Sequence, residues 1–172
     1  MPEGLGSSKV TVVGSPARVV TARTTWDGLP IAPDPPYAAA VAVWRWGAAG
    51  VEWLLLHRKP EHRDPDDVPG EWEWGCPGGA RLPGEPVDLC ARRELEEETG
   101  LRLHLRSGVA DPICPLFLAE APRDTPVELS DEHDAYRWVR LEAAALLIRP
   151  EGVAAQFERA ARTVEGPHRP DR

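Results

Sequence analysis

The chain has 172 residues, about the length of one domain, and can bury enough surface to fold without disulfides. It carries 28 Asp and Glu against 20 Lys and Arg, so its net charge is −8. An acidic chain without a basic run is not expected to bind a nucleic-acid polymer or an anionic membrane surface. If the ligand is itself an anion, a divalent metal is the obvious source of neutralising charge.

The N-terminus and the cysteines bear on where the protein works. Residues 1–9 are rich in Gly and Ser and lack the apolar core of a signal peptide. No apolar run approaches the roughly 18–20 residues that a membrane-spanning helix needs. The three cysteines show neither CxxC pairing nor zinc spacing, which indicates free thiols. We therefore expect a cytoplasmic protein.

The beginning of the chain predicts an extension rather than part of the main domain. Two segments rich in Val and Thr, 10–13 and 18–25, have the composition of short strands. A Pro-rich stretch at 30–36 then predicts a rigid connector. The resulting division is an N-terminal extension at 1–36, a main domain at 37–165 and a flexible tail at 166–172.

Within the main domain, the pattern of apolar residues predicts a sheet with helices packed on it, which is an α/β sandwich. The clearest helix has Pro86 at its first position and Gly100 after its last, where each residue type is favoured. Residues 59–70 predict an exposed loop, and Pro77-Gly78-Gly79 predicts a turn. In chain order, the predicted elements are strands at 37–46, 51–57 and 71–75, a helix at 86–99, strands at 101–105, 113–119 and 136–140, and helices at 142–147 and 151–164.

An acidic segment lies near the end of the first predicted helix. Acids at this end oppose the helix dipole and cost about 0.3–1 kcal/mol each. Helical spacing places Glu94, Glu97 and Glu98 on one face, within about a 100° arc, whereas Glu96 points elsewhere. Three carboxylates on one face suit a hard divalent cation such as Mg²⁺ or Mn²⁺. A solvated acidic face is the alternative interpretation of the same pattern.

The residues around this segment resemble the Nudix box. The sequence Trp74 to Gly79 also resembles the aromatic-x-x-Pro-Gly-Gly lead-in of that family, with Cys76 where an aromatic or aliphatic residue is commoner. With segments 54–58 and 136–139, which resemble other strands of the family, the resemblance covers about residues 37–147. The box positions matched are Gly79, Glu85, Arg93, Glu94, Leu95, Glu97, Glu98, Gly100 and Leu101.

The resemblance to the Nudix (MutT-like) hydrolases implies a fold and a reaction. The fold is an α/β/α sandwich with a mixed sheet and a loop-helix-loop catalytic motif. The reaction is metal-dependent hydrolysis of a nucleoside diphosphate linked to another group. By the same resemblance, Glu97 and Glu98 would bind Mg²⁺ or Mn²⁺, and Glu94 would be a third ligand or activate water. The carbonyl group of Gly78 would lie near the metals.

Further site residues follow from the same resemblance. Arg93 and Glu85 would pair and hold the helix and the preceding loop in register. In some members the catalytic base lies on a later loop, where Glu132 is the candidate and an exposed loop acid is the alternative. Arg58 resembles a phosphate-contacting arginine, although a surface role fits equally well. Trp72 is a candidate for stacking on a nucleobase, with core packing as the alternative.

The substrate is predicted less sharply than the reaction. Pro115 lies close to a position where ADP-ribose hydrolases tend to carry proline, which favours ADP-ribose or a related nucleotide. A pyrophosphatase that removes modified nucleoside triphosphates is the alternative. A non-catalytic nucleotide sensor is a weaker hypothesis, because all the acids of the box are retained. An isoprenoid diphosphate isomerase is weaker still, because its characteristic cysteine and histidine surroundings are not evident around Cys76. The expected partner is a nucleotide-type small molecule, and a homodimer is compatible with the sequence.

Overall fold

Seven strands and three α-helices make up the part of the chain described by the computed structural model, which is residues 23–25, 28–63 and 67–166. None of these helices combines the length and the apolar character needed to cross a membrane. The strands are β1 (Ala38–Gly47), β2 (Gly50–Arg58), β3 (Trp74–Gly75), β4 (Gly78–Ala80), β5 (Leu105–Val109), β6 (Leu116–Glu120) and β7 (His133–Val139). The helices are α1 (Val87–Thr99), α2 (Leu141–Leu147) and α3 (Glu151–Glu165), and a 3-10 turn spans Pro60–His62.

The strands form one mixed sheet around β1. Strand β1 pairs antiparallel with β2 and β4 and parallel with β6. On one side β2 also pairs with β3 and β7, and on the other β5 pairs with β6. The parallel pairing of β1 with β6 makes the sheet mixed, as the sequence predicted.

Both faces of the sheet are covered by helices. The side chains of β1 alternate, so Val41 and Val43 pack in the core beneath α1. Ala42 and Trp44 face the opposite core, which α2 and α3 cover. In that second core Phe157 of α3 lies edge-on to Trp53 of β2, with ring centroids 5.2 Å apart. A near-continuous apolar strand is expected where both faces are buried, and the predicted α/β/α sandwich is confirmed.

Three predicted strands begin three or four residues later than expected, and the first of them, β3, starts at Trp74 instead of residue 71. Residues 101–104 lie outside any strand, and β5 starts at Leu105. The sequence predicted a strand from residue 101, but β6 ends only one residue past the partner of Leu105, so the earlier residues have no strand to pair with. Strand β6 starts at Leu116 because the Asp111 carboxylate accepts two backbone hydrogen bonds in the preceding turn.

The Pro-rich connector lies against the domain. The guanidinium of Arg81 donates to two carbonyl oxygens of the connector at 2.6 Å, and Ala32 within it is buried. The N-terminal strands predicted at 10–13 and 18–25 lie outside the described residues, except for residues 23–25. The connector therefore packs beside β4, next to the segment that carries the box.

Candidate active site

Strand β4 brings the backbone of two glycines against the acidic end of α1. The Gly78 N–H donates to Glu98 Oε2 at 2.8 Å. A Cβ atom at Gly78 would lie 2.7 Å from the Ala39 carbonyl oxygen, and one at Gly79 would lie 2.5 Å from Glu94 Oε2. Because the backbone of β1 blocks the first position, no side chain fits at Gly78, whereas a side chain at Gly79 would require the Glu94 carboxylate to move aside. The predicted turn at these glycines is wrong, because they form a strand and are needed for close packing rather than for turning.

The two acids that β4 covers are buried and repel one another. The side chain of Glu98 is 5% exposed and that of Glu94 is 12% exposed. Burial raises the pKa of Glu94 to about 7 and raises the pKa of Glu98 well above its usual range. The negative charge of Glu132 raises both pKa values further. These carboxylates form a site where negative charge is concentrated away from water.

Arg93 connects the acids of α1 to the preceding loop. Its guanidinium donates to both carboxylate oxygens of Glu85, at 2.8 and 3.0 Å, so the pair that the resemblance implied is present. The same group donates to Glu94 at 2.7 Å and to Glu97 at 3.1 Å. The hydrogen bonds from Arg93 lower the pKa of Glu85. Glu97 is the accessible member of the set, with 57% of its side chain exposed.

The end of β2, the loop before β7 and the first residue of β7 add three groups near Glu98. Arg58 Nη2 lies 4.0 Å from Glu132 Oε2, and neither side chain is fully exposed. The imidazole Nε2 of His133 lies 3.9 Å from Glu98 Oε1. Burial lowers the pKa of His133 to about 4, so this imidazole is neutral at pH 7. The sequence did not indicate a role for this histidine, because no metal-ligand spacing points to it.

A cleft of about 520 Å³ opens beside strand β4. Gly78, Gly79 and Arg58 line it together with Trp72, so residues predicted separately as metal, phosphate and base contacts border one space. Trp72 has a backbone φ of 59° and is 45% exposed, which sets it apart from a core tryptophan. The backbone N–H of Trp72 donates to the Arg149 carbonyl oxygen at 3.1 Å. This hydrogen bond connects the wall of the cleft to the segment between α2 and α3.

The cleft also contains residues that the sequence did not indicate. Arg149 follows α2, and Gln156 lies on α3. Arg149 and Gln156 lie 48 and 55 positions beyond Leu101, the last residue of the box, and neither belongs to a motif. Only the packing of α3 on the sheet shows that they face the same space as the glycines.

The acidic face offers carboxylate oxygens to a divalent metal, and several of them already have partners in the protein. Within the described residues, no group of three or more His, Cys, Asp or Glu side chains is arranged to hold a metal ion. Arg93 binds Glu94 and Glu97, while the Gly78 amide binds Glu98, so protein donors occupy these oxygens. The donor chemistry nevertheless fits a hard cation, because every donor is an oxygen. A cation would also relieve the repulsion that raises the pKa values of Glu94 and Glu98.

The combination of an α/β/α sandwich with a glutamate-rich helix that follows a strand containing two glycines is characteristic of one protein family. The family model described as "NUDIX domain" matches residues 36–160. This chain belongs to the NUDIX family. Nudix hydrolases generally use divalent metal ions.

Individual proteins resemble the chain over most of its length. "Octanoyltransferase" of Myxococcus xanthus is 30% identical over 142 residues, which are 75% of this chain and 38% of that protein. "Putative 8-oxo-dGTP diphosphatase 3" of Mycobacterium tuberculosis is 33% identical over 147 residues, which are 70% of this chain and 64% of that protein. The chain therefore spans less than two thirds of the length of these curated relatives.

A solved structure supports the fold. The Nudix hydrolase RenU of M. smegmatis superposes with a TM-score of 0.64 at 23% identity, covering 90% of this chain and 100% of that one. At this level of identity the likeness concerns the fold and not the substrate.

Proposed function

We propose that the chain is a metal-dependent pyrophosphohydrolase that cleaves a nucleoside diphosphate linked to another group. The observation that carries the proposal is the pair of buried carboxylates, Glu94 and Glu98, held against a glycine strand that also lines a cleft. Negative charge concentrated beside a ligand-sized space is costly to the fold and is typical of a site that works with a cation. Membership of the NUDIX family supports the same reaction.

Glu94, Glu97 and Glu98 would hold Mg²⁺ or Mn²⁺, with the Gly78 carbonyl group nearby. A metal bound there would neutralise the charge of the diphosphate and lower the pKa of a water molecule that it binds. Arg93 and Glu85 act as positioning residues, because their two hydrogen bonds hold the loop before α1 against the helix. Their role is to keep the acids in register with the substrate.

Arg58 and Glu132 are the further groups that we assign to the reaction. Arg58 lines the cleft and can donate to a phosphate oxygen. Glu132 lies beside it and can accept the proton of the attacking water as the water oxygen bonds to phosphorus and the anhydride P–O bond breaks. The electron pair of that bond leaves with the departing phosphate. Glu94 and Glu97 are the alternative bases.

Trp72 supplies an aromatic surface for the nucleobase. Trp72 lines the cleft and is 45% exposed, and its backbone N–H donates to the Arg149 carbonyl oxygen. We propose ADP-ribose or a related nucleotide as the first substrate to test. A second candidate is a modified nucleoside triphosphate, which is favoured by the 33% identity to a protein named as an 8-oxo-dGTP diphosphatase.

The experiment is a substrate panel assayed with Mg²⁺, with the products identified by mass. The panel contains ADP-ribose, sugar nucleotides, dinucleoside polyphosphates, and normal and oxidised nucleoside triphosphates. We expect a nucleoside monophosphate among the products, because the acids hold the metal against an internal diphosphate. Release of orthophosphate alone from every compound would contradict the proposal. Binding without turnover of any compound would identify a nucleotide sensor instead.

A further inference from the structure

One polar side chain of α3 lies in an otherwise apolar part of the cleft wall. Gln156 lines the cleft between Val153 and Phe157, and Ile148 and Leu116 line the same region. Gln156 is half-buried there. An amide removed from water is costly unless its hydrogen bonds are satisfied, so its partners are informative.

The orientation of this amide is set by a backbone carbonyl group. Gln156 Nε2 donates to the Cys114 carbonyl oxygen at 2.9 Å. Because a carbonyl oxygen only accepts hydrogen bonds, the nitrogen of the amide must face it, and Oε1 must point the other way. Among the described residues, no protein donor bonds to Oε1. Because Oε1 is not one of the fully buried side-chain atoms that lack a hydrogen-bond partner, it is accessible. Oε1 is therefore an acceptor available from the cleft.

The carbonyl group that orients Gln156 is itself held in place. The carboxylate of Asp111 accepts the N–H groups of Ile113 and Cys114, at 2.8 and 2.9 Å, and so closes the turn before β6. The following residue, Pro115, accepts a hydrogen bond from the N–H of Ala40 in β1 at 3.2 Å. The acceptor in the cleft wall is thus anchored to the central strand of the sheet and cannot rotate freely to suit a ligand.

We propose that Gln156 is a specificity-determining residue that selects nucleotides whose base carries an exocyclic amino group. The amino N–H donates to Oε1 while the base lies in the apolar part of the cleft and its phosphates extend towards Gly78 and Gly79. This inference rests on the proposed function for the identity of the ligand as a nucleotide. A base without the amino group leaves Oε1 desolvated and unpaired, which is how a pocket rejects a near-isostere.

The test is equilibrium binding of 5′-monophosphates in the presence of Mg²⁺, measured by calorimetry. The probes are the monophosphates of adenosine, guanosine and cytidine, each paired with the analogue in which hydrogen replaces the amino group. For the wild-type protein we expect the amino-bearing member of at least one pair to bind about tenfold more tightly, which corresponds to roughly 1.4 kcal/mol. Gln156→Leu, which removes the acceptor at similar size, should reduce this preference to within about twofold.

A second variant and a control make the outcome decisive. Gln156→Met also removes the acceptor and fills the space with a flexible side chain, so it replaces the leucine variant if that one misfolds. Arg159→Gln changes an exposed residue of the same helix outside the cleft and should keep the wild-type preference. Equal binding within all three pairs, or a preference that survives both Gln156 variants, would overturn the inference. Binding needs no turnover, so failure of the hydrolysis assay tests the proposed function separately.

Discussion

The acidic face of α1 and the cleft beside α3 adjoin the same glycine strand but are built in different ways. On the acidic face one guanidinium, that of Arg93, bonds to Glu85, Glu94 and Glu97. In the cleft, within the part of the chain that the structure describes, the Gln156 side chain bonds to a backbone carbonyl group and to no other side chain. A substitution on the acidic face should therefore also affect the other residues that bond to Arg93. A substitution in the cleft should affect only the contact of the substituted residue.

This difference also separates two tasks. Concentrated, buried charge suits chemistry at a phosphate, because electrostatic interactions are strong where water is excluded. An apolar wall with isolated polar groups suits recognition, because it discriminates between ligands by single hydrogen bonds. The comparison predicts large, substrate-independent effects on the acidic face and smaller, substrate-dependent effects in the cleft.

Removal of divalent metal should have the largest effect. With excess chelator we expect turnover of every substrate to disappear, because the acids can no longer be bridged to an anionic substrate. Addition of Mg²⁺ or Mn²⁺ should restore it, and product formation measured by mass follows both steps. Turnover that continues undiminished in excess chelator would remove the metal from the mechanism.

Glu97→Gln should have the next largest effect, and Glu96→Gln is its matched control. Both acids are exposed on the same helical turn, and each is paired with an arginine, Arg93 for Glu97 and Arg102 for Glu96. We expect Glu97→Gln to lower kcat by about 10²–10⁴, because it removes a metal ligand or proton acceptor. Glu96→Gln should leave kcat near the wild-type value. Equal effects of the two substitutions would show that only surface charge is involved.

In the metal-free protein, Glu94→Gln should change the dependence of stability on pH. The pKa of Glu94 in the folded state is raised from 4.5 to about 7, so folding favours the protonated form. Its contribution is fully present below pH 4.5 and is lost as the pH rises through about 7, by roughly 3 kcal/mol. Glu94→Gln should therefore be more stable than wild type at pH 8 but not at pH 4.

Urea unfolding in a chelating buffer at both pH values measures this difference. Glu96→Gln again serves as the control, because its carboxylate is paired at the surface. If the free-energy difference between wild type and Glu94→Gln is the same at both pH values, the raised pKa of Glu94 is refuted.

Trp72→Ala should have the smallest effect and one that depends on the substrate. Loss of an aromatic surface for the base should raise KM by about tenfold with little change in kcat, because stacking on a base contributes about 1–3 kcal/mol. Trp46→Ala is the matched control, since Trp46 is 58% exposed and does not line the cleft. If both substitutions change KM equally, or if kcat falls instead, the nucleobase does not lie against Trp72.

The acidic face could be predicted because its residues are close together in the chain. Glu85 and Arg93 are eight residues apart, and the spacing of an α-helix determines which acids of α1 share a face. The position of β4 was predicted less well. Two glycines in succession suggested a turn, but their lack of side chains serves the contacts with Ala39 and Glu94.

The cleft could not be predicted, because its contacts join distant parts of the chain. Gln156 and the Cys114 carbonyl group are 42 residues apart, and neither has a local pattern that shows it faces a ligand. The burial of His133 beside Glu98 likewise depends on how β7 pairs with β2. These residues gain their partners only when the sheet forms and α3 packs on it.

The sequence by itself determined the helix α1 and the face on which its acids lie, because periodicity and short spacing act within one or two elements. The family and the three-layer fold followed from the resemblance of the residues around that helix to the Nudix box. The tertiary structure decided which of those acids are buried, since exposure depends on β4 lying across the helix. It also decided that Trp72, Arg149 and Gln156 border one cleft. Burial and long-range pairing are properties of the packed chain, and they set both the pKa values of the acids and the shape of the space beside them.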